Sequence, residues 1–405
     1  MGSEQTKEQS TADMSGLDSS ELIKSQIQFS SKLFQMLSKE NENVVVSPCS
    51  IFIGMMMTTM GASGDTWKEM TKALSLNVKE EDFQEWKQKH LSSYLNQFSM
   101  LQNDDTLRVA NRLFINDQFD LKDEFKNVMR DVFHAMPELC NFAGNASGET
   151  SKINKWVSDN TEQKITNLIS NPLAPLTAIV LVNAIYFLGK WYDPFSPSDT
   201  SDYSFTTVNG SSEFIDMMRK HGTMQSYGEE DGYKWINLPY ENKAFSMTFI
   251  MPEKEPTVKC EEKFNKWLIS KLAKGNSLDQ LFPTKEIKLS TIRLPKFKIE
   301  FGVDLKEAFA TDPFQMKSPF LMQADFANMT PKSNIYISAI HHKVFIDVNE
   351  SGTEATAATA VVGMAKSRKK SKEKVYDFIA DRPFTYILHH KNTGSILFIG
   401  KYNKP

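Results

Sequence analysis

The chain is poor in cysteine. Its three, Cys49, Cys140 and Cys260, are widely spaced and odd in number, which excludes a disulfide framework or a zinc-ligand pair and leaves free, buried or half-buried thiols. Long apolar runs are missing too: none approaches the roughly 18 to 20 residues of a membrane span. The first twenty residues, MGSEQTKEQSTADMSGLDSS, hold no apolar block that could form a signal-peptide core. A standard secretory route is therefore not expected, which leaves cytoplasmic residence or leaderless export into the extracellular space. Charge of one sign is not in excess, since 47 Lys and Arg face 50 Asp and Glu for a net −3 over 405 residues. That excludes a generally nucleic-acid-coating protein, and no specific nucleic-acid partner is expected.

Catalytic motifs are equally scarce. There is no G-x-S-x-G elbow, no Gly-rich phosphate loop ending in Lys-Ser/Thr and no dinucleotide fingerprint. The seven histidines include the adjacent pairs His341–His342 and His389–His390, but neighbours on a strand point to opposite faces and cannot chelate one ion. No cofactor and no metal is expected, and on the same grounds the chain is not expected to be an enzyme.

What the sequence does have is a globular composition, 40% apolar and 11% aromatic. Asp18 with Glu21, then Ile23, Ile27, Phe34 and Leu37 on one face, predicts a capped amphipathic helix. A second helix is expected from Ser50 to Met60, closed by the glycines of GASG at 61–64. Runs rich in Val, Ile and Phe at 179–187, 245–251, 335–348 and 384–399 predict strands, several buried on both faces. With no repeat and no linker, the organisation expected is a flexible tail, residues 1–20, followed by one α+β domain over 21–405.

One segment stands apart, VFIDVNESGTEATAATAVVGMAKSRKKSKEK at 344–374. After Gly352 come small residues whose alternate members, Thr353, Ala355, Ala357, Thr359 and Val361, share one face if the stretch is extended. That face is uncharged and can be buried at little desolvation cost, while Glu354, Thr356, Ala358 and Ala360 can lie outward. KSRKKSKEK then carries six basic residues and one acid. Composition alone also fits a flexible linker with a solvated charge run or a basic address signal.

At these residues the sequence resembles the serpin family. NESGTEATAATA at 349–360 is similar to the serpin hinge, and VVVSPCSI at 44–51 with MGASGDT at 60–66 to the helix-B region. LVNAIYFLGKW at 181–191, LPKFKIE at 294–300, ADFANM at 324–329, ADRPFTYIL at 380–388 and FIGKYNKP at 398–405 follow in order. The resemblance implies a serpin fold of three β-sheets and eight or nine α-helices with an exposed reactive-centre loop at about 351–377. It also implies suicide inhibition, in which a protease attacks the loop and the cleaved loop enters the central sheet with the acyl-enzyme attached. The nucleophile would then belong to the target.

Residue by residue, the resemblance assigns a hinge to Glu350, Gly352, Thr353, Glu354, Ala355, Thr356, Ala357, Ala358 and Thr359. It assigns a shutter beneath the sheet to Ser47, Ser50, Asn183 and His342, and a breach at its top to Trp191, Lys296 and Glu350. In family inhibitors the scissile residue lies sixteen positions after the hinge glutamate, which lands on Lys366 followed by Ser367, with Arg368 and Lys369 as alternatives. Lysine there implies a trypsin-like serine protease as covalent partner of a monomeric inhibitor. Lys366, Arg368, Lys369, Lys370, Lys372 and Lys374 form a candidate contact for a heparin-like polyanion. The long basic stretch after the cut, like the absent signal peptide, resembles the ovalbumin-like branch. The alternative is a non-inhibitory serpin acting as a binding or chaperone protein.

Overall fold

The computed structural model describes residues 20–38, 42–102, 106–353 and 375–405. Its helices are α1 (Ser20–Leu37), α2 (Pro48–Thr59), α3 (Gly64–Ala73), α4 (Phe83–Trp86), α5 (Ser92–Gln102), α6 (Asp123–Asp131), α7 (Phe142–Asn160), α8 (Val258–Leu272), α9 (Leu278–Leu281) and α10 (Lys306–Ala310). A π turn, Lys87–Leu91, joins α4 to α5 without a break, so the described residues hold nine helical segments.

The central sheet is built from β2 (Leu107–Asn116), β3 (Glu138–Cys140), β4 (Ile179–Phe187), β5 (Gly189–Lys190), β11 (Phe297–Asp304), β12 (Ile337–Asn349) and β13 (Gly352–Thr353). Their order is β3-β2-β4-β12-β13-β5, with β11 on the other edge of β12. A second network comprises β1 (Val44–Val46), β6 (Ser201–Thr206), β7 (Ser212–Glu230), β8 (Tyr233–Pro239), β9 (Phe245–Pro252), β10 (Lys285–Pro295), β14 (Tyr376–Ile379), β15 (Phe384–His390) and β16 (Ile396–Tyr402). Hydrogen bonding runs through it continuously in the order β1-β16-β15-β9-β8-β7-β10-β14, with β6 on β7, and Ser226–Glu230 of β7 link the part β6-β7-β10-β14 to the part β8-β9-β15-β16-β1.

Why the chain adopts these elements is plain at the centre. All nine residues of β4 are buried, because α2 covers one face of the sheet and α7 the other. Val180, Val182, Ala184 and Tyr186 pack with Phe142, Ile153 and Val157 of α7. Leu181, Ile185 and Phe187 belong to the main core with α2. Helix α2 is itself buried along its whole length; its sequence, PCSIFIGMMMTT, has no charge to solvate, and Ser47 caps it with Pro48 at the first helical position. Helix α1 begins at Ser20; Asp18, the expected cap, lies outside the described residues.

One sequence expectation is corrected. The apolar run 384–399 is not one strand but the hairpin β15–β16, turned through Lys391–Ser395 with Gly394 at φ +76°. Both strands are buried throughout, so the apolar periodicity did not mark the turn.

Candidate functional site

Two polar clusters sit on the central sheet. The lower one is a row across three strands, for Asn111 of β2 lies opposite Asn183 of β4 and Asn183 lies beside His342 of β12. The N-terminus of α2 meets this row. The Ser47 backbone N–H donates to His342 Nε2 at 3.1 Å, and the Ser50 hydroxyl donates to Asn111 Oδ1 at 2.7 Å. Asn183 Nδ2 donates to Asn111 Oδ1 at 2.9 Å and to the Ser50 carbonyl at 3.3 Å. A Cβ on Gly54 would come within 2.5 Å of Asn183 Nδ2, so glycine there is what admits the amide beneath the helix.

The row is not fully satisfied. His342 Nδ1 and Asn183 Oδ1 are buried without a hydrogen-bond partner. Since Nε2 accepts from Ser47, Nδ1 carries the proton, so the row holds one spare donor and one spare acceptor. Burial pushes the His342 imidazole down to about 3, keeping it neutral.

The upper cluster lies where β12 turns back. Trp191 Nε1 donates to the Asn349 carbonyl at 3.0 Å and its backbone N–H to the Ser351 carbonyl at 2.9 Å. The indole stacks on Tyr240 with ring centroids 4.5 Å apart. Glu350 is ion-paired to Lys296 at 3.2 Å and accepts from the Thr200 hydroxyl at 2.7 Å. Burial would raise the Glu350 carboxyl, but the hydrogen bonds from Thr200 and Lys296 outweigh it and hold the group below the usual range.

From this corner the chain re-enters the sheet. Gly352 and Thr353 form β13, antiparallel to both β12 and β5. Gly352 has φ +153°, and a Cβ on it would lie 2.0 Å from the Gly189 carbonyl oxygen. Thr353 is fully buried, its hydroxyl 2.7 Å from the Tyr240 hydroxyl.

Of the residues singled out from sequence, the structure brings Ser47, Ser50, Asn183 and His342 into one network, and Trp191, Lys296, Glu350, Gly352 and Thr353 into another. Glu354, Ala355, Thr356, Ala357, Ala358, Thr359, Lys366, Ser367, Arg368, Lys369, Lys370, Lys372 and Lys374 lie outside the described residues. Asn111, Thr200 and Tyr240 were missed. Strand pairing brings Asn111 to the row, and the only sequence signal was an amide, next to Arg112, within a largely apolar strand-like run, VANRLFI at 109–115.

Comparison with known proteins fits this geometry. The family model Serpin (serine protease inhibitor) matches residues 24–405. Serpin B8 of Homo sapiens is 33% identical over 393 residues, covering 93% of this chain and 97% of its own. Intracellular coagulation inhibitor 2 of Tachypleus tridentatus is 30% identical over 380 residues, covering 92% and 88%. The crystal structure of Serpin48, a highly specific serpin of the insect Tenebrio molitor, superposes with TM-score 0.78 at 28% identity, covering 95% of this chain and 98% of its own. The chain belongs to the serpin family, with ovalbumin-type serpins among its relatives. The expectation about enzymatic activity is corrected in its ground: missing motifs decide nothing, whereas membership of the serpin family does, since serpins are generally protease inhibitors rather than enzymes.

Proposed function

We propose that the protein is a monomeric suicide-substrate inhibitor of trypsin-like serine proteases, cleaved between Lys366 and Ser367. The observation that carries this reading is β13, because it lies between β12 and β5 and runs opposite to both. The register explains how the strand would grow. Thr353 pairs with Val348 on one side and Gly189 on the other; continued unbroken, both ladders bring residue 359 level with His342 and Asn183. Those two residues are already side by side in the β4–β12 ladder, so the two extrapolations agree.

At that level Thr359, on the same side as Thr353 by strand alternation, offers a hydroxyl to the spare donor His342 Nδ1 and the spare acceptor Asn183 Oδ1. Lys366 then falls just beyond Ile337 and Ile179, where β12 and β4 begin. An extended chain from Thr353 to Lys366 spans roughly 44 Å. A protease acylated there would be carried to the far end of the sheet.

Inhibition requires insertion to outrun deacylation. The uncharged series Thr353, Ala355, Ala357 and Thr359 favours that outcome over the non-inhibitory alternative. Thr353→Arg would bury a guanidinium at a cost of several kcal/mol, and every 1.4 kcal/mol is about tenfold in rate. That variant is expected to be cleaved as a substrate, with the inhibitor consumed per protease trapped rising at least about tenfold. The basic residues Lys366 to Lys374 are proposed as a second contact, for a heparin-like polyanion. Its affinity should fall steeply with salt and vanish when Arg368, Lys369 and Lys370 are neutralised.

The deciding experiment mixes the full chain with trypsin. A complex stable to boiling in detergent, with a released peptide starting at Ser367, is expected. Clipping without a complex, and with no large rise in thermal stability of the clipped protein, sinks the proposal and leaves a non-inhibitory binding or chaperone role.

A further inference from the structure

The pair of strands β7 and β10 carries two arginines that make no ion pair among the described residues. In the β7–β10 ladder Arg219 is directly opposite Arg293, a placement that brings their Cβ atoms to about 5 Å. Their inward-facing neighbours are settled: Ile292 and Leu294 are buried, and Lys220 is ion-paired with Asp193 at 2.8 Å. The outward pair is not settled in this way. Among the described residues no carboxylate is ion-paired with either arginine, and Arg219 Nε is shielded from solvent with no hydrogen-bond partner.

Two like charges opposed across a ladder destabilise it, so their presence needs an offsetting interaction. Arg293 is held in place: its guanidinium lies 4.4 Å above the Tyr203 ring, and Nη1 donates to the Ser201 hydroxyl at 3.4 Å. His221 and Thr291, the next pair along the same face, add hydrogen-bonding groups. Asp377 of β14 pairs beside Thr291 and bounds the patch with the one carboxylate that strand register places next to it.

We propose that Arg219 and Arg293 form a binding site for a tetrahedral oxyanion, a sulfate or phosphate group. Guanidinium groups on two directly opposed residues can each give paired N–H bonds to the oxygens of an anion held between them, and its negative charge offsets their mutual repulsion. The site adjoins β14, the strand into which the reactive loop's downstream end leads, so an anion here sits beside the segment a protease must reach. It is distinct from the basic cluster at Lys366–Lys374.

The test follows thermal unfolding of the full chain in chloride, sulfate and phosphate at matched ionic strength, with Arg219→Gln, Arg293→Gln, the double variant and Arg219→Lys. Sulfate stabilises folded proteins generally by exclusion from their surface, so the readout is a saturable shift that the wild type has and the double variant lacks. Each single Gln variant should need at least about tenfold more anion for half the shift, and Arg219→Lys should fall between. In chloride Arg219→Gln should be no less stable than the wild type, because it removes a repulsion. A sulfated polysaccharide, added in an Arg368→Gln, Lys369→Gln, Lys370→Gln background, separates the sources of the group. Binding tighter than free sulfate and lost in the double variant assigns a polymer-borne ester; binding no tighter assigns the free ion. Equal, non-saturating shifts in wild type and double variant, or a loss of stability in chloride with Arg219→Gln, overturn the proposal.

Discussion

His342 and His389 are neutral because burial has pushed each down to about 3. An unfolded histidine titrates near 6.5, so between that pH and about 3 the unfolded chain binds more protons than the folded one. Stability from these residues is therefore full above about pH 6.5 and drains away as pH falls towards 3. From pH 7 to pH 5 each should cost at most about 2 kcal/mol. The denaturant midpoint should drop accordingly, and His342→Gln should show a smaller drop between the same two pH values; an unchanged pH dependence would refute it. Ser47, Ser50, Asn183 and His342 were legible as a group only through the family resemblance, whereas Asn111 was not legible at all. Its role comes from pairing opposite Asn183, seventy-two positions away in the chain, and no local pattern encodes which amide in an apolar run will meet another.

At the scale of elements, apolar runs were informative and turns between them less so. The run 179–187 is β4 to the residue because both its faces are covered. The π turn at Lys87–Leu91 had no signature. The element with the most consequence, β13, is two residues long and depends on a glycine. Gly352→Ala would drive a Cβ into the Gly189 carbonyl and to 2.7 Å from Lys190 Cα, so β13 should leave the sheet. Amide exchange at Gly189, Lys190 and Thr353 is expected to rise by at least about tenfold, while protection in β9 and β15 stays unchanged. Tyr240→Phe is the milder probe: it removes the hydroxyl contact to Thr353 and a weaker one to Met247 Sδ and should cost about 1 kcal/mol.

Across the whole molecule, β4 and β12 are parallel neighbours over Ile179–Tyr186 and Ile337–Phe345, and the two spare polar atoms lie along that contact. On the proposed mechanism, a peptide with the sequence of residues 353–365, incubated with the intact protein, should bind there, raise the melting temperature and divert the reaction with trypsin from complex formation to simple cleavage. Thr359→Val in that peptide should weaken the effect about tenfold, roughly 1.4 kcal/mol, because two buried polar atoms would stay unpaired. A peptide that binds without blocking complex formation would argue against insertion at this contact.

Strand direction gives this contact a further meaning. Sheets ordinarily accept new strands at their rims, where unpaired backbone groups face outward. Here β4 and β12 point the same way, so any chain laid between them from the top of β12 opposes both, exchanging one parallel ladder for two antiparallel ones, and parallel pairing is the slightly weaker kind. On the proposed mechanism, then, the sheet would take its new strand through a change of polarity between two strands already paired rather than at an exposed edge, and its perimeter would stay as it is.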